Sequence, residues 1–421
     1  MNRSSKFAEF LAALAIAGLL AAFRYLLSRR KLPADSARPD KPKRPSETWG
    51  MKHWLLTAVG LFAVLGVGAF LVVVSGIVPI KASSGHWPIT AWVLQFAKSR
   101  SVATHTLGIE TPALDDPSLV LKGATHYEIG CRPCHGNPDL QTPRIAQQMT
   151  PRPPYLPPRV PNWSPDELFY IVKHGIKFTG MPAWPAQQRD DEVWAMVAFL
   201  LRFPELTAEE YRRLATGGSA KITSEPAMHD QLMLQDAPRR AVTENCGRCH
   251  GVDGPGMAAF PKLTGQRPTY LYAALRAFAS GERRSGVMEP IAAALSPTDM
   301  RELALYYASL PQISPLFSRP QSPLAIERGQ AIATGGIRSQ RVPACVACHG
   351  PGTTPRNPIY PNLAGQYAEY LVLQLMLFKN QHRGGSPYAR LMLPVAARLK
   401  PEQIRDVALY YASLAPTGGT K

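Results

Sequence analysis

Cys131-Arg132-Pro133-Cys134-His135, Cys246-Gly247-Arg248-Cys249-His250 and Cys345-Val346-Ala347-Cys348-His349 are one pattern, C-x-x-C-H, written three times. The chain has six cysteines, and these motifs use all of them. A helical turn takes about 3.6 residues, so two cysteines three apart lie roughly on one face. The histidine that follows the second cysteine is carried beside them.

This spacing suits a planar ligand fixed along one edge by two sulfurs, with the imidazole placed beneath its centre. It is the attachment signature of c-type haem. A zinc site would need further cysteines or histidines at short range to complete a tetrahedral set, and the pairs stand about a hundred residues apart. A redox dithiol predicts neither the adjacent histidine nor three copies. The motifs therefore predict three covalently bound haem c groups, with Cys131, Cys134, Cys246, Cys249, Cys345 and Cys348 as thioether anchors. His135, His250 and His349 are the expected axial ligands, and the chemistry expected is electron transfer.

The second and third motifs sit in a repeat. Pro261-Lys262-Leu263-Thr264-Gly265-Gln266 returns as Pro361-Asn362-Leu363-Ala364-Gly365-Gln366. Tyr270, Leu271, Leu275 and Phe278 return at Tyr370, Leu371, Leu375 and Phe378, and Tyr306-Tyr307-Ala308-Ser309-Leu310 returns as Tyr410-Tyr411-Ala412-Ser413-Leu414. The succession C-x-x-C-H-G, P-x-L-x-G-Q, aromatic helix and A-L-Y-Y-A-S-L resembles the tandem dihaem cytochromes c of bacterial respiratory chains, over residues 231–415. Residues 117–203 are similar to a single-haem class I cytochrome c. The second copy departs from the pattern ahead of its motif: the third has Gly329 in the preceding helix, whereas Asp236-Ala237-Pro238-Arg239-Arg240 occupies that region in the second. Its first helix is expected to be shortened.

The resemblance implies a methionine opposite each histidine, which raises the potential and leaves no open iron position. Phe178-Thr179-Gly180-Met181-Pro182-Ala183-Trp184 resembles the methionine loop of small bacterial cytochromes c and selects Met181. Met288 and Met392 match each other in the repeat, each two residues before a proline (Pro290, Pro394). Met149 and Met196 read as a loop and a core residue. Met257, Met300 and Met376 lack counterparts and read as packing or loop residues, a usual role for methionine.

A chain of 421 residues is long enough for about three domains of roughly 100–150 residues. The fold class expected is all-α: three cytochrome c-type helical domains in tandem, at 117–203, 231–310 and 324–415, behind an N-terminal membrane anchor. Asp116-Pro117 offers an acidic N-cap with proline at N1. Closing helices are predicted at 190–203, 297–310 and 401–414. Val193, Met196, Val197 and Leu200 recur at helical spacing and mark a buried face. Aromatic residues near the haems read as porphyrin packing.

Residues 54–80 form 27 positions without a charge, ample for the roughly 20 that cross a bilayer. The stretch is too long for a signal-peptide apolar region of about 7–15 residues. An earlier apolar stretch at 7–27, within the N-terminal segment 1–53, is interrupted by Glu9 and Arg24. Between the two stand eight basic residues against three acidic ones, so the positive-inside rule keeps that loop cytoplasmic and turns the haem domains outward, to the periplasmic face of a bacterial inner membrane. Met51 lies just ahead of the span, and a chain starting there would keep the same orientation. In the juxtamembrane segment 81–116, Ile89, Trp92, Val93 and Phe96 have helical spacing across 88–98, with Trp87 beside them. Two readings stand: a helix lying at the membrane interface, or a helix packed on the first haem domain.

The formal charge is +17, of which residues 1–53 carry +7 and residues 316–421 carry +8. The basic third domain would steer an acidic redox partner, although anionic haem propionates also consume arginines. Nucleic acid is not expected as a partner on that side of the membrane. The partners expected are a terminal oxidase or a dehydrogenase complex, a soluble cytochrome or copper protein, and the membrane itself. The function expected is that of a membrane-anchored tri-haem carrier of single electrons, not an enzyme. The rival is a peroxidase or nitrogen-oxide reductase type of haem enzyme, which would need one open iron site. A haem sensor would need an output domain, and none is visible.

Overall fold

The computed structural model describes residues 47–78, 80–215, 246–256, 260–311, 322–351, 356–386 and 388–415, with side chains from residue 54 onward. The expected stretch at 7–27, the basic loop after it, the helix ahead of Cys246 and Met257 lie outside the described residues. The regular elements among the described residues are helices, and Ile337 and Val342 form an isolated bridge. The chain divides into two compact units, residues 1–84 and 85–421.

The first unit contains α1 (Glu47–Val74). Its 21-residue window Trp54–Val74 is apolar enough to cross a membrane, and no side chain there is buried. The helix stops short of the predicted Ile80 because Ser75 Oγ donates to Val72 O (2.8 Å) and Gly76 turns left-handed at φ 65°, a glycine stop.

The second unit opens with α2 (Pro88–His105), two turns longer than predicted. Its two halves differ. Trp87, Ile89, Trp92, Val93 and Phe96 are exposed, whereas Val102 is buried, Lys98 stands over the Trp163 ring and His105 stacks on Tyr170 at 5.6 Å. The packing reading thus holds for the second half of the helix, and the first half is uncovered.

Three helical groups follow. In the first, α3 (Pro117–Gly130) is capped by Asp116, whose carboxylate accepts from Ser118 N (2.9 Å). It crosses α5 (Asp190–Arg202), and α4 (Pro165–His174) and α6 (Ala208–Ala215) complete the group. Tyr127, Phe199, Phe203 and Tyr211 form its aromatic centre, with ring centroids 5.0–6.2 Å apart. The second group pairs α7 (Pro268–Ala279) with α8 (Pro297–Ser309) around Leu271, Leu303, Ala304 and Tyr307. The third places α9 (Pro323–Gly335) across α12 (Pro401–Ser413), with α10 (Ala368–Lys379) and α11 (Ala389–Arg398) beside them. The closing helices α5, α8 and α12 end one residue before the predicted positions. Each core includes one motif cysteine, Cys131, Cys246 or Cys345.

Two crossings depend on the lack of a side chain. A Cβ on Gly123 of α3 would lie 2.2 Å from the Ala195 carbonyl of α5, and one on Gly329 of α9 would lie 2.0 Å from the Asp406 carbonyl of α12. Both helix pairs therefore meet backbone to backbone.

Candidate functional site

Each C-x-x-C-H motif forms a single helical turn ending in a left-handed glycine: Gly136 (φ 74°), Gly251 (φ 76°) and Gly350 (φ 76°). The turn then reverses, and a later proline carbonyl meets the histidine. His135 Nδ1 lies 2.8 Å from Pro154 O, His250 Nδ1 3.0 Å from Pro261 O, and His349 Nδ1 2.9 Å from Pro361 O. A carbonyl can only accept, so Nδ1 carries the proton and Nε2 keeps its lone pair, the tautomer a metal ligand needs. Burial lowers the pKa of all three imidazoles, opposed by that bond, and so favours the neutral form.

The motif cysteines are half-buried, apart from the exposed Cys348. Burial raises Cys131 to about 12 and Cys246, Cys249 and Cys345 to about 11. A redox dithiol or a zinc thiolate needs the opposite shift.

The second and third residue sets converge. Cys246, Cys249, His250 and Met288 share one continuous cavity of about 380 Å³ with Cys345, Cys348, His349 and Met392. Its walls are largely apolar, as for Leu275, Phe278, Leu375 and Phe378. Met288 opens a short helix, Met288–Ala293, and Met392 lies in α11. Cys131, Cys134, His135 and Met181 do not line this cavity. Met181 sits in a loop folded back on the end of α4: its N–H donates to Thr179 Oγ1 (3.1 Å), its carbonyl accepts from Ile176 N (3.2 Å), and Trp184 N donates to Lys173 O (2.9 Å). Met196 and Met300 are buried in helices and Met376 packs in the third core, as expected of packing residues. Met149 lies against Gly180.

The wall chemistry fits a haem. Arg283 and Arg383 both line the cavity, and no carboxylate pairs with either among the described residues. Arg283 Nη2 donates to Tyr370 Oη (3.0 Å) and Gln374 Oε1 (3.2 Å), and Arg383 Nε donates to the same Gln374 oxygen (2.8 Å). Burial, then the Arg283 charge, brings Arg383 down to about 10, and the two guanidiniums outweigh burial to acidify Tyr270. Two cations on one apolar wall, Arg283 buried and Arg383 half-buried, with no carboxylate partner among the described residues, call for acidic groups on the ligand, and haem propionates supply them. Tyr411 Oη, also on this wall, is buried without a hydrogen-bond partner. When bound, haem supplies reversible one-electron chemistry at iron.

Sequence reading missed what joins the two copies. Gln266 Nε2 donates to Asn362 O (2.6 Å) and its Oε1 accepts from Asn362 N (3.0 Å). Reciprocally, Gln366 Nε2 donates to Lys262 O (3.0 Å) and its Oε1 accepts from Lys262 N (3.0 Å). Lys262 and Asn362 directly follow the prolines that hold His250 and His349, so this clasp steadies both imidazoles. The repeated P-x-L-x-G-Q was the available signal. Pro154 carried none, because its distance from His135 differs from the spacing in the other two copies.

Comparison with known proteins agrees with this chemistry. The family model for cytochrome c oxidase, cbb3-type, subunit III matches residues 118–200, and that for cytochrome c matches residues 236–311 and 326–415. A thiosulfate dehydrogenase electron acceptor from Thiomonas intermedia (strain K12) is 37% identical over 185 residues, covering 43% of this chain and 83% of that protein. Cytochrome c4 of Pseudomonas aeruginosa is 32% identical over 171 residues, covering 40% of this chain and 83% of that protein. The solved structure of reduced recombinant cytochrome c4 from Pseudomonas stutzeri shares 30% identity, covers 42% of this chain and 97% of its own, and gives a TM-score of 0.39. The chain belongs to the c-type cytochromes, with tandem segments like those of dihaem cytochrome c4, and is an electron-transfer protein rather than an enzyme.

Proposed function

We propose that this protein is a membrane-anchored tri-haem cytochrome c, with haem domains at 117–203, 231–310 and 324–415 facing the periplasm of a bacterial cell. It carries single electrons between a membrane or periplasmic donor and an acceptor, as a subunit or partner of a larger oxidoreductase complex. Met181, Met288 and Met392 complete the iron coordination opposite His135, His250 and His349. The observation that carries the reading is the threefold recurrence of a motif histidine whose Nδ1 meets a proline carbonyl at 2.8–3.0 Å. The first motif repeats the arrangement of the other two and so supports a third haem. The apolar α1 and the basic residues before it support anchoring.

The chain's residues anchor, ligate and insulate the haems. A terminal oxidase or a dehydrogenase remains the expected partner. The electron-acceptor relative makes thiosulfate dehydrogenase the first to try as donor, with the basic third domain as the docking face. Haem-to-protein stoichiometry in the purified chain tests the count, with three expected. Replacing Cys131 and Cys134 by serine should remove one third of the covalent haem and leave the rest. A count of two in the unaltered chain refutes the reading. Stoichiometric carbon monoxide binding by the reduced protein would refute the three-methionine assignment.

A further inference from the structure

The structure assigns to the first helical group a fixed docking site on the second, centred on the Glu192 carboxylate, which makes the second haem site the middle station between the first and the third. This inference rests on the tri-haem reading above. Glu192, on α5, is 3% exposed. Within its own group its carboxylate accepts from Trp184 Nε1 (3.2 Å) and pairs with Arg189 (2.9 Å). Across the junction it accepts from Ser285 Oγ (2.7 Å) and Gly286 N (2.6 Å). Ser285 Oγ in turn accepts from Met288 N (3.1 Å). A chain of carboxylate, hydroxyl and amide thus runs from the first group to the methionine proposed as the ligand of the second site.

Three further contacts reinforce the junction. Arg189 Nη1 donates to Arg284 O (2.8 Å), and Arg284 Nη2 donates to Pro185 O (3.0 Å). A Cβ on Gly286 would lie 2.1 Å from Trp184 Nε1, so the indole lies directly on that backbone. Thr125 of α3, six residues before Cys131, lines the same cavity wall as Cys249. Each segment that holds the first site therefore has a counterpart in the second group, Trp184 at Gly286 and Thr125 at the cavity of Cys249. Trp184 lies three residues after Met181, and Gly286 two before Met288.

Energetics make this a permanent contact. A buried carboxylate is tolerated only when its oxygens are fully bonded. Parting the groups would remove two of the four donors and orphan Ser285 and Gly286. The second group is clasped to the third through Gln266 and Gln366, so it is held on both sides. In the step between stations one iron loses an electron and the next gains it, with no bond or proton change. The chain's part is to keep the stations adjacent and to set the charge beside Met288.

The test uses the full-length, haem-loaded protein in detergent. Variants are Glu192→Gln and Arg284→Ala, with the exposed surface pair Arg202–Glu205 supplying Glu205→Gln as control. In Glu192→Gln the Gly286 amide should exchange hydrogen faster, and the potential of the second haem should rise because a nearby negative charge is gone. Internal electron redistribution after photoreduction should slow several-fold, because the weakened junction lets the two stations separate for part of the time. Arg284, which is part-exposed and outside the cores, should give slower redistribution when replaced, and carries the test alone if Glu192→Gln fails to fold. If both variants keep three haems with unchanged redistribution rates and potentials, the docking assignment is overturned. A count of two haems instead overturns the tri-haem reading, so the two failures are told apart.

Discussion

His126 and Arg283 show how single side chains are poised around these sites. His126, on α3, packs against Trp184 at 4.7 Å, and burial, then the Lys122 charge, brings it down to about 4. Between that value and the ordinary 6.5 the unfolded chain binds a proton that the folded chain refuses, so stability falls as pH drops through this window and levels off below it. The loss amounts to at most about 3 kcal/mol. A His126→Gln variant should show a flatter stability curve from pH 6.5 to 4 in chemical denaturation, and an unchanged slope would reject the assignment. Arg283 presents a buried charge to the shared cavity. Arg283→Met should lower the potentials of the two neighbouring haems by on the order of 50 mV, the scale of one unit charge at an effective dielectric of about 20. Redox titration reads this directly. The motif cysteines and histidines were legible at this scale because chemistry fixes their type and spacing, and the repeat paired Met288 with Met392, which line one cavity. Glu192 was not, because a carboxylate in an amphipathic helix reads as a solvated charge until its partners are known.

At the level of helices, glycine decides two crossings. In an isolated helix Gly→Ala gains about 1 kcal/mol from propensity. At Gly123 and Gly329 the added carbon meets a carbonyl at 2.2 and 2.0 Å, and overpacking costs about 1–3 kcal/mol. Gly329→Ala should therefore destabilise the protein, lowering the thermal midpoint, and a rise would show that α9 and α12 can part freely. Gly329 was legible through the family pattern. Gly123 was not, because it stands eight residues before its motif and Gly329 sixteen, the turn closed by the Ile337–Val342 bridge lying between α9 and the third motif. The ends of α5, α8 and α12 were read to within a residue, and Pro297 and Pro401 mark the starts of the last two. The extension of α2 to His105 escaped notice because its second half carries no apolar stripe, and tertiary contacts with Trp163 and Tyr170 hold it instead.

Across the whole molecule, charge and apolar surface are divided by region. The span in α1 predicts that removing residues 1–80 releases the remainder from membranes with its haem spectrum intact, as sedimentation with vesicles will show. The exposed Trp92 and Phe96, stacked at 5.8 Å, should leave weak vesicle binding that their replacement by serine abolishes. The excess positive charge of residues 316–421 predicts salt-sensitive reduction by an acidic partner. Charge reversal at the exposed Arg338 and Arg341 should slow it several-fold at low ionic strength and little at high, and equal slowing at both would remove steering as the cause.

The reciprocal glutamines have a further consequence. Position 266 reaches 362 and position 366 reaches 262, so the contact has the symmetry of two identical halves rather than of a lock and its key. A face complementary to its own twin is also complementary to a copy of itself on another molecule. If the linkage between the halves were shortened until they could no longer meet within one chain, each half would find its counterpart on a neighbouring chain, giving an exchanged dimer with the reciprocal bonds preserved. The junction at Glu192 has no such symmetry and would keep the first haem group with its own chain through the exchange.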